Sequence, residues 1–286
     1  MKKILNSKWI LVILPLMVLI ISLGVVISLQ GLFFFKPNKD VASYEELKND
    51  SNYEEVDITT SKGKHINGWL KKNKSSEVSP TVIFFMGNYE NASTAMKVLK
   101  NTGRINYFEG LNLVMMDYPG YGKSDGFVNN DDTFLNYGTE VYDWVAKQDF
   151  VDKNNILVLG FSIGTGVATY VASVRDVNGL VLIAPYDEAL SLYNDNVNVF
   201  HGPVQALTKF RLKSYEYAQN VKVPVLIFSS KADEVISYKF SQKLSPNFNE
   251  VDEFILFEDV KHSEYYDKYE VWERIQNYLS NRIYSE

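Results

Sequence analysis

The chain has 286 residues, of which 29 are Lys or Arg and 35 are Asp or Glu, giving a net charge of −6. This acidic balance, without an arginine-rich stripe or interleaved basic and aromatic residues, argues against nucleic acid as a partner. The absence of cysteine excludes structural disulfides, a cysteine-linked lipid anchor and cysteine-based metal sites. Stability must therefore come from packing, and the chain is long enough for one sizeable core.

The N-terminal segment is apolar, with no charged residue from Trp9 to Phe35. As a helix it would reach about 40 Å, against a hydrocarbon core of about 30 Å. Secretory signal peptides have apolar regions of only about 7–15 residues and a small-x-small cleavage site, and no A-x-A sequence occurs here. We therefore expect residues 1–36 to be an uncleaved transmembrane signal anchor, with a cleaved signal as the alternative. Phe33, Phe34 and Phe35 are expected to form an aromatic collar at the interface.

The lysines around this segment predict its orientation. Lys2, Lys3 and Lys8 precede the span, whereas Lys36 and Lys39 are soon followed by acidic residues. Because cytoplasmic flanks carry the excess of lysine and arginine, we expect a cytoplasmic N-terminus. The protein would then be a single-pass protein of the cell membrane, with its catalytic domain outside the cytoplasm.

After a polar linker at 37–52, we expect one α/β domain over residues 53–286, and no internal repeat is visible. It begins with a hairpin formed by Glu55–Thr59 and Ile66–Leu70. Apolar runs then alternate with helical stretches, which predicts a mostly parallel sheet with right-handed crossovers, helices on both faces and the hairpin as its antiparallel edge. The predicted parallel strands are Val82–Met86, Leu113–Met116, Ile156–Leu159, Leu180–Ile183, Val225–Phe228 and Phe254–Phe257.

The motif G-x-S-x-G at 160–164 predicts a nucleophilic serine, Ser162, on a sharp strand-to-helix turn. The apolar run Ile156–Leu159 precedes the motif, and small residues follow it, so a helix can pack closely against the strand. Glycines on both sides of the serine allow the strained backbone that such a turn needs. The alternative is a glycine-rich helix start with an ordinary N-terminal serine.

A serine nucleophile needs a base, and the chain has three histidines, His65, His201 and His262. His65 lies in an alternating segment before the serine, and His201 lies in a polar stretch. His262 follows the apolar strand Phe254–Phe257, so it lies at the strand's carboxyl end, where open parallel sheets place their ligands. We therefore expect His262 to be the base.

The carboxylate that orients the base is expected at Asp233. It follows the buried-strand pattern Val223–Ser230 at its carboxyl end. Glu234 is the local rival, but it lies one residue farther from the strand and is more typical of a solvated neighbour. The other alternative for Asp233 is a plain loop carboxylate.

An oxyanion hole needs two backbone N–H donors, one of them from the residue after the nucleophile, which here is Ile163. The second is expected from the loop after an early strand. The run Thr81–Asn88 fits a strand that enters such a loop, so we assign the second donor to the Asn88 backbone. The alternative is a Gly-Asn turn without a chemical role.

The stretch from about 185 to 220 interrupts the alternation of strands and helices and is rich in Tyr, Asn and Asp. We expect a small cap over the active site here, with Tyr186 and Tyr193 lining the pocket. The alternative is a helix and loop that only pack on the sheet, since aromatic residues at helical spacing are usually core.

Together these residues resemble the α/β-hydrolase superfamily, and within it a membrane-anchored group labelled serine aminopeptidase-like or acyl-hydrolase-like. The resemblance covers nearly everything after Tyr53 and includes the chain order of serine, acid and histidine. Three further segments carry it: the Phe85–Asn88 run, the glycine-rich loop at 117–124, and the segment at 233–236. One departure is Met86, which stands where the family usually has a histidine that helps to order the oxyanion loop.

These features imply a membrane-anchored serine hydrolase that cleaves an ester, thioester or amide through an acyl-enzyme. No metal and no organic cofactor are implied. A small-molecule or lipid acyl-ester substrate fits an active site beside a bilayer, by location and family analogy alone. A serine peptidase or aminopeptidase is the runner-up, because the same residues can protonate an amine leaving group. A non-catalytic domain that binds a ligand or partner is the third hypothesis.

Overall fold

The structure is a computed structural model that describes residues 7–40, 42–196 and 200–284. Its centre is an eight-stranded sheet with the strand order β1-β2-β4-β3-β5-β6-β7-β8. Strands β3 to β8 run parallel, and the β1–β2 hairpin pairs antiparallel with β4 at one edge, as predicted. The strands are β1 Glu54–Thr59, β2 His65–Lys71, β3 Ser79–Phe85, β4 Asn112–Met116, β5 Val151–Phe161, β6 Gly179–Ile183, β7 Val225–Ser230 and β8 Val251–Phe257.

Helices cover both faces of the sheet, so the central strands are buried almost without interruption. Helices α3 and α9 pack on one face, and α4 and α5 pack on the other. The helices are α1 Ser7–Phe34, α2 Ala42–Lys48, α3 Ala92–Asn101, α4 Asp131–Val145, α5 Gly164–Val174, α6 Ala189–Asn196, α7 Ser214–Ala218, α8 Tyr238–Leu244 and α9 Tyr269–Tyr284. Short 3₁₀ helices occur at Arg104–Phe108, Gly202–Leu207, Ser245–Asn247 and His262–Tyr266.

Helix α1 contains a stretch, Trp9–Leu32, that is long and apolar enough to cross a membrane, with a mean hydropathy of 3.2. The predicted aromatic collar at its end is wrong for Phe34 and Phe35, which are only 3% exposed. They pack on aromatic residues of the globular part instead of facing lipid headgroups. The Phe33 side chain lies outside the part that the structure describes. So do Lys2 and Lys3, on which the predicted orientation depends.

The segment predicted as a linker, 37–52, packs against the sheet over its residues 42–52. It contains α2, whose Tyr44 and Leu47 are buried, and the Tyr44 ring lies 5.3 Å from that of Trp69. Helix α2 has only seven residues, and two large apolar side chains among charged ones are too few to predict a buried helix from the sequence. Helix α2 is therefore part of the globular domain and does not belong to a free linker.

Candidate active site

Ser162 lies on the sharp turn between β5 and α5. Its backbone φ is +55°, in the left-handed region that a residue with a side chain seldom adopts. A Cβ atom at Gly164 would lie 2.2 Å from the Phe85 carbonyl oxygen, and one at Gly160 would lie 2.8 Å from the Cβ of Ala168. The two glycines of the motif are therefore required by close packing, which favours the predicted strand-to-helix turn, called the elbow below, over an ordinary helix start.

The structure brings three predicted residues into one hydrogen-bonded chain at the carboxyl edge of the sheet. The Nε2 atom of His262 lies 2.9 Å from the Oγ of Ser162, and its Nδ1 atom lies 2.8 Å from the Oδ2 of Asp233. Asp233 follows β7, and His262 begins the 3₁₀ helix after β8. The Asp233 side chain is fully buried and that of His262 is 13% exposed, so the hydrogen bonds between these side chains are shielded from water. This arrangement assigns the imidazole proton to Nδ1 and leaves Nε2 free to accept the serine proton.

The two neighbouring acidic residues have different partners. Asp233 Oδ1 also accepts the backbone N–H groups of Val235 and Ile236, at 2.9 and 2.8 Å, which fixes the plane of the carboxylate. The Glu234 carboxylate accepts the backbone N–H of His262 at 3.2 Å, not the imidazole. Hydrogen bonds from its own backbone N–H and from that of His262 lower the pKa of Glu234. The geometry therefore favours Asp233 as the orienting acid.

The two predicted oxyanion donors have no competing hydrogen-bond acceptor within the part of the chain that the structure describes. In the ranges that the structure covers, neither the Ile163 N–H nor the Asn88 N–H donates to another protein group. The Ile163 amide follows Ser162 directly at the start of α5, and Asn88 lies in the loop after β3. Two N–H groups that are left without an acceptor are what a developing oxyanion requires as donors.

Sequence reasoning missed a set of residues that holds His262 and the loop at 86–91 in place. This loop carries the candidate donor Asn88 and is called the oxyanion loop below. The His262 ring stacks on Phe161 with ring centroids 5.1 Å apart. The Oε2 atom of Glu90 accepts the Gly87 N–H at 2.9 Å and the Tyr266 hydroxyl at 3.0 Å, so it joins the oxyanion loop to the 3₁₀ helix that carries His262. Burial raises the pKa of the Glu90 carboxyl.

Arg104 fixes the other end of the same 3₁₀ helix. Its guanidinium donates to the carbonyl oxygens of Tyr266 and Asp267 at 3.1 and 2.8 Å, and it stacks on the Tyr269 ring. These partners are more than 160 positions away in sequence, and no local motif announces them.

The region predicted as a cap contains α6, a 3₁₀ helix and α7, and its residues 197–199 lie outside the described part. The expectation that Tyr186 and Tyr193 line a pocket is wrong, since both are at most 2% exposed. The Tyr186 hydroxyl donates to the Ile163 carbonyl oxygen at 3.3 Å and so supports the elbow from below. The Tyr193 ring packs on Phe34 at the end of α1, with ring centroids 4.4 Å apart.

The other candidate histidines have other surroundings. His65 pairs with Asp57 across the β1–β2 hairpin, with Nδ1 and Oδ1 2.8 Å apart, and both side chains are more than half exposed. His201 precedes the 3₁₀ helix Gly202–Leu207. Over the described residues, no group of three or more His, Cys, Asp or Glu side chains is arranged to hold a metal ion.

Comparisons with known proteins agree with this fold. Residues 80–223, just over half of the chain, match the model of the alpha/beta hydrolase fold. An uncharacterized protein of Mycobacterium tuberculosis is 24% identical over 73% of this chain and 72% of its own length. The uncharacterized protein YfhR of Salmonella typhi is 27% identical over 73% of this chain and 74% of its own length.

Solved structures of esterases share the architecture. The Pyrococcus furiosus esterase Pf2001 superposes with a TM-score of 0.67 at 18% identity, over 87% of this chain and 98% of that one. Acetyl xylan esterase 1 from Thermoanaerobacterium superposes with a TM-score of 0.61 at 17% identity, over 88% of this chain and 96% of that one. Because the family model matches just over half of the chain, including the turn that carries Ser162 and the strands β4 to β6, the chain belongs to the alpha/beta hydrolase family.

Proposed function

We propose that this chain is a membrane-anchored serine hydrolase that cleaves an ester through an acyl-enzyme. The observation that carries the proposal is the hydrogen-bonded chain from Ser162 through His262 to Asp233, at 2.9 and 2.8 Å. Each residue type fits its role, and the strained φ of +55° at Ser162 is typical of a serine presented for attack.

In the reaction, Ser162 Oγ attacks the ester carbonyl carbon while His262 Nε2 takes its proton. The carbonyl electrons move to oxygen, and the N–H groups of Ile163 and Asn88 stabilise that oxyanion. When the tetrahedral intermediate collapses, the alkoxide leaves with the proton from His262. Water then attacks the acyl-enzyme in the same way and releases the acid. Asp233 holds the imidazole and stabilises its charged form in both halves.

Two observations support an acyl-ester substrate, small or lipid. The similar solved structures named above are esterases, and the anchor would hold the site beside a bilayer. Many large apolar side chains of Trp9–Leu32 lie on the surface, with exposed fractions between 39 and 76%. Together they form an apolar surface far larger than a soluble protein leaves in water. A bilayer would bury it, with the hydrolase domain on the extracytoplasmic side.

The test uses the full chain in detergent micelles, a fluorophosphonate probe and a chain-length series of p-nitrophenyl esters. We expect the wild type to be labelled and active, and Ser162→Ala to lose both. Ser173→Ala is the matched control, because Ser173 lies on the same helix α5 and bonds only locally to the Tyr170 carbonyl oxygen. It is expected to keep both.

Labelling that persists in Ser162→Ala would contradict the proposed nucleophile. A folded wild type that is neither labelled nor active on any ester would contradict an esterase. Matched p-nitroanilides would then test the peptidase, and no turnover of those either would favour a binding domain.

A further inference from the structure

The peptide that leaves the anchor helix contacts the loop that carries the candidate oxyanion donor. The backbone N–H of Lys36, two residues past the end of α1, donates to the Asn88 Oδ1 atom at 2.8 Å. The Asn38 Nδ2 atom donates to the Tyr89 carbonyl oxygen at 2.9 Å. The Lys36 ammonium also lies 4.6 Å from the centre of the Tyr89 ring. Two residues after the anchor, Lys36 and Asn38, therefore contact the residues at the tip of the oxyanion loop, Asn88 and Tyr89.

Tyr121 forms hydrogen bonds with both the segment after α1 and the oxyanion loop. Its hydroxyl donates to the Asn88 carbonyl oxygen at 2.9 Å, and its oxygen accepts the Lys36 N–H at 2.8 Å. The Asn38 carbonyl oxygen accepts the Gly122 N–H at 2.8 Å and the Asn91 side-chain amide at 3.3 Å. The segment Lys36–Asn38 is thus bonded to the oxyanion loop and to the glycine-rich loop that holds Tyr121.

The segment itself is fixed at its anchor end. Phe34 and Phe35 are buried, and both pack on Phe210. One turn earlier, the buried Gln30 side chain donates to the Leu207 carbonyl oxygen at 3.0 Å and accepts the Lys209 N–H at 2.7 Å. The end of α1 is therefore packed into the globular part directly before Lys36–Asn38.

The oxyanion loop needs such support. It has no regular secondary structure between the end of β3 and the start of α3. Within the loop, the Gly87 N–H is held by Glu90, and Asn91 caps α3. The Asn88 side chain and carbonyl group lie between these two points, and the contacts that fix them come from Lys36 and Tyr121. A donor must be held within about 0.5 Å of its productive position to be effective.

We propose that Lys36–Asn38 is a positioning segment of the oxyanion hole, which couples the membrane anchor directly to catalysis. This inference rests on the proposed serine hydrolase function. Its consequence is that loss of these contacts lowers the rate of the chemical step while the nucleophile, base and acid stay in place.

The test uses Asn38→Ala, Tyr121→Phe and the double variant in the full chain, assayed with a p-nitrophenyl ester. A lost oxyanion donor costs about 10²–10³ in kcat, so a donor that is only misplaced is expected to cost about tenfold in each single variant and about 30- to 100-fold in the double. We expect KM to stay within about threefold, because the contacts act on the transition state. Affinity for a boronic acid, whose tetrahedral adduct occupies the oxyanion hole, is expected to fall by the same factor as kcat/KM.

Two variants remove equivalent hydrogen bonds elsewhere. Asn249→Ala removes a side-chain amide that bridges the carbonyl oxygens of Gln219 and Val221, and Tyr142→Phe removes a hydroxyl bonded to the Asp176 carbonyl oxygen. Both are expected to keep wild-type kcat and boronic acid affinity. The pH profile of kcat/KM is expected to be the same in all variants, because the histidine is untouched.

The outcomes separate this inference from the proposed function. If Ser162→Ala is inactive but Asn38→Ala and Tyr121→Phe match their controls in kcat and boronic acid affinity, the positioning role is refuted and the hydrolase stands. If Ser162→Ala is as active as the wild type, both fail. Should Asn38→Ala not fold, Asn38→Asp replaces it, since its Oδ1 can still accept the Asp40 N–H at 2.8 Å while the donor to Tyr89 is lost.

Discussion

Replacing Asp233 by asparagine changes one atom and forces a change in the imidazole. Asp233 Oδ1 accepts the N–H groups of Val235 and Ile236, so an asparagine there must keep its oxygen at that position. Its NH₂ group then occupies the Oδ2 position, 2.8 Å from the Nδ1 of His262. Two donors would face each other unless the imidazole moves its proton to Nε2. In that tautomer His262 cannot accept the proton of Ser162, so attack is suppressed.

The expected loss follows from the charge that the substitution removes. Two unit charges about 4 Å apart attract by about 4 kcal/mol at an effective dielectric constant of about 20. The pair is shielded, since the Asp233 side chain is 0% and that of His262 13% exposed. The NH₂ group of the asparagine cannot accept the hydrogen bond that the Nδ1–H of the charged imidazole donates to Asp233, and the loss of this bond adds about 1 kcal/mol. At about 1.4 kcal/mol per factor of ten, kcat is expected to fall by about 10³–10⁴.

The assay is steady-state hydrolysis of a p-nitrophenyl ester by the full chain. Glu234→Gln is the matched control, because the Glu234 carboxylate accepts the backbone N–H of His262 and is not bonded to its imidazole in the described part of the chain. We expect this control to keep kcat within about threefold of the wild type. If Asp233→Asn retains more than about a tenth of the wild-type kcat, or if Glu234→Gln loses as much, the assignment of the acid is refuted.

Three further predictions concern the elbow, the oxyanion loop and a buried carboxyl. Gly164→Ala places a Cβ 2.2 Å from a backbone carbonyl oxygen and is expected to lower the free energy of unfolding by about 1–3 kcal/mol. Gly24→Ala is the control, because a Cβ at Gly24 meets no atom within 4 Å, and it is expected to leave the thermal midpoint unchanged. Glu90→Gln retains an acceptor for the Gly87 N–H and the Tyr266 hydroxyl, so it is expected to keep kcat near wild type. Glu90→Ala removes the acceptor and is expected to lower kcat about tenfold. Equal losses of kcat in the two variants would contradict an acceptor role. Burial raises the pKa of Asp117 from 3.8 to about 6 in the folded state, so its contribution to stability is greatest below about pH 4 and is lost as the pH rises through 6. Chemical denaturation across this range is expected to show the wild type losing up to about 3 kcal/mol relative to Asp117→Asn, and parallel curves would refute this.

Local patterns in the sequence predict the sheet and the hydrogen-bonded chain well. Each parallel strand is a short apolar run, because both faces of such a strand are buried. Ser162, Asp233 and His262 each follow one of these runs, and the carboxyl ends of parallel strands meet at one edge. Periodicity and strand direction were therefore enough to bring together residues up to 100 positions apart, as in the contact between Ser162 and His262.

The supporting contacts have no such signal, because they depend on polar groups of separate segments meeting in three dimensions. Glu90 meets Tyr266 across 176 positions, and Lys36 meets Asn88 across 52. In the sequence, Lys36 is predicted to flank a membrane span and the Asn88 backbone to be an oxyanion donor, and neither prediction indicates that the two residues are in contact. Only the fold shows that the residues directly after α1 form hydrogen bonds with the loop between β3 and α3, which carries the proposed oxyanion donor. In this chain the end of helix α1 and the loop after β3 are consequently parts of one packed structure. Under the proposed function, a change at the end of the anchor helix would therefore also be a change at the oxyanion hole.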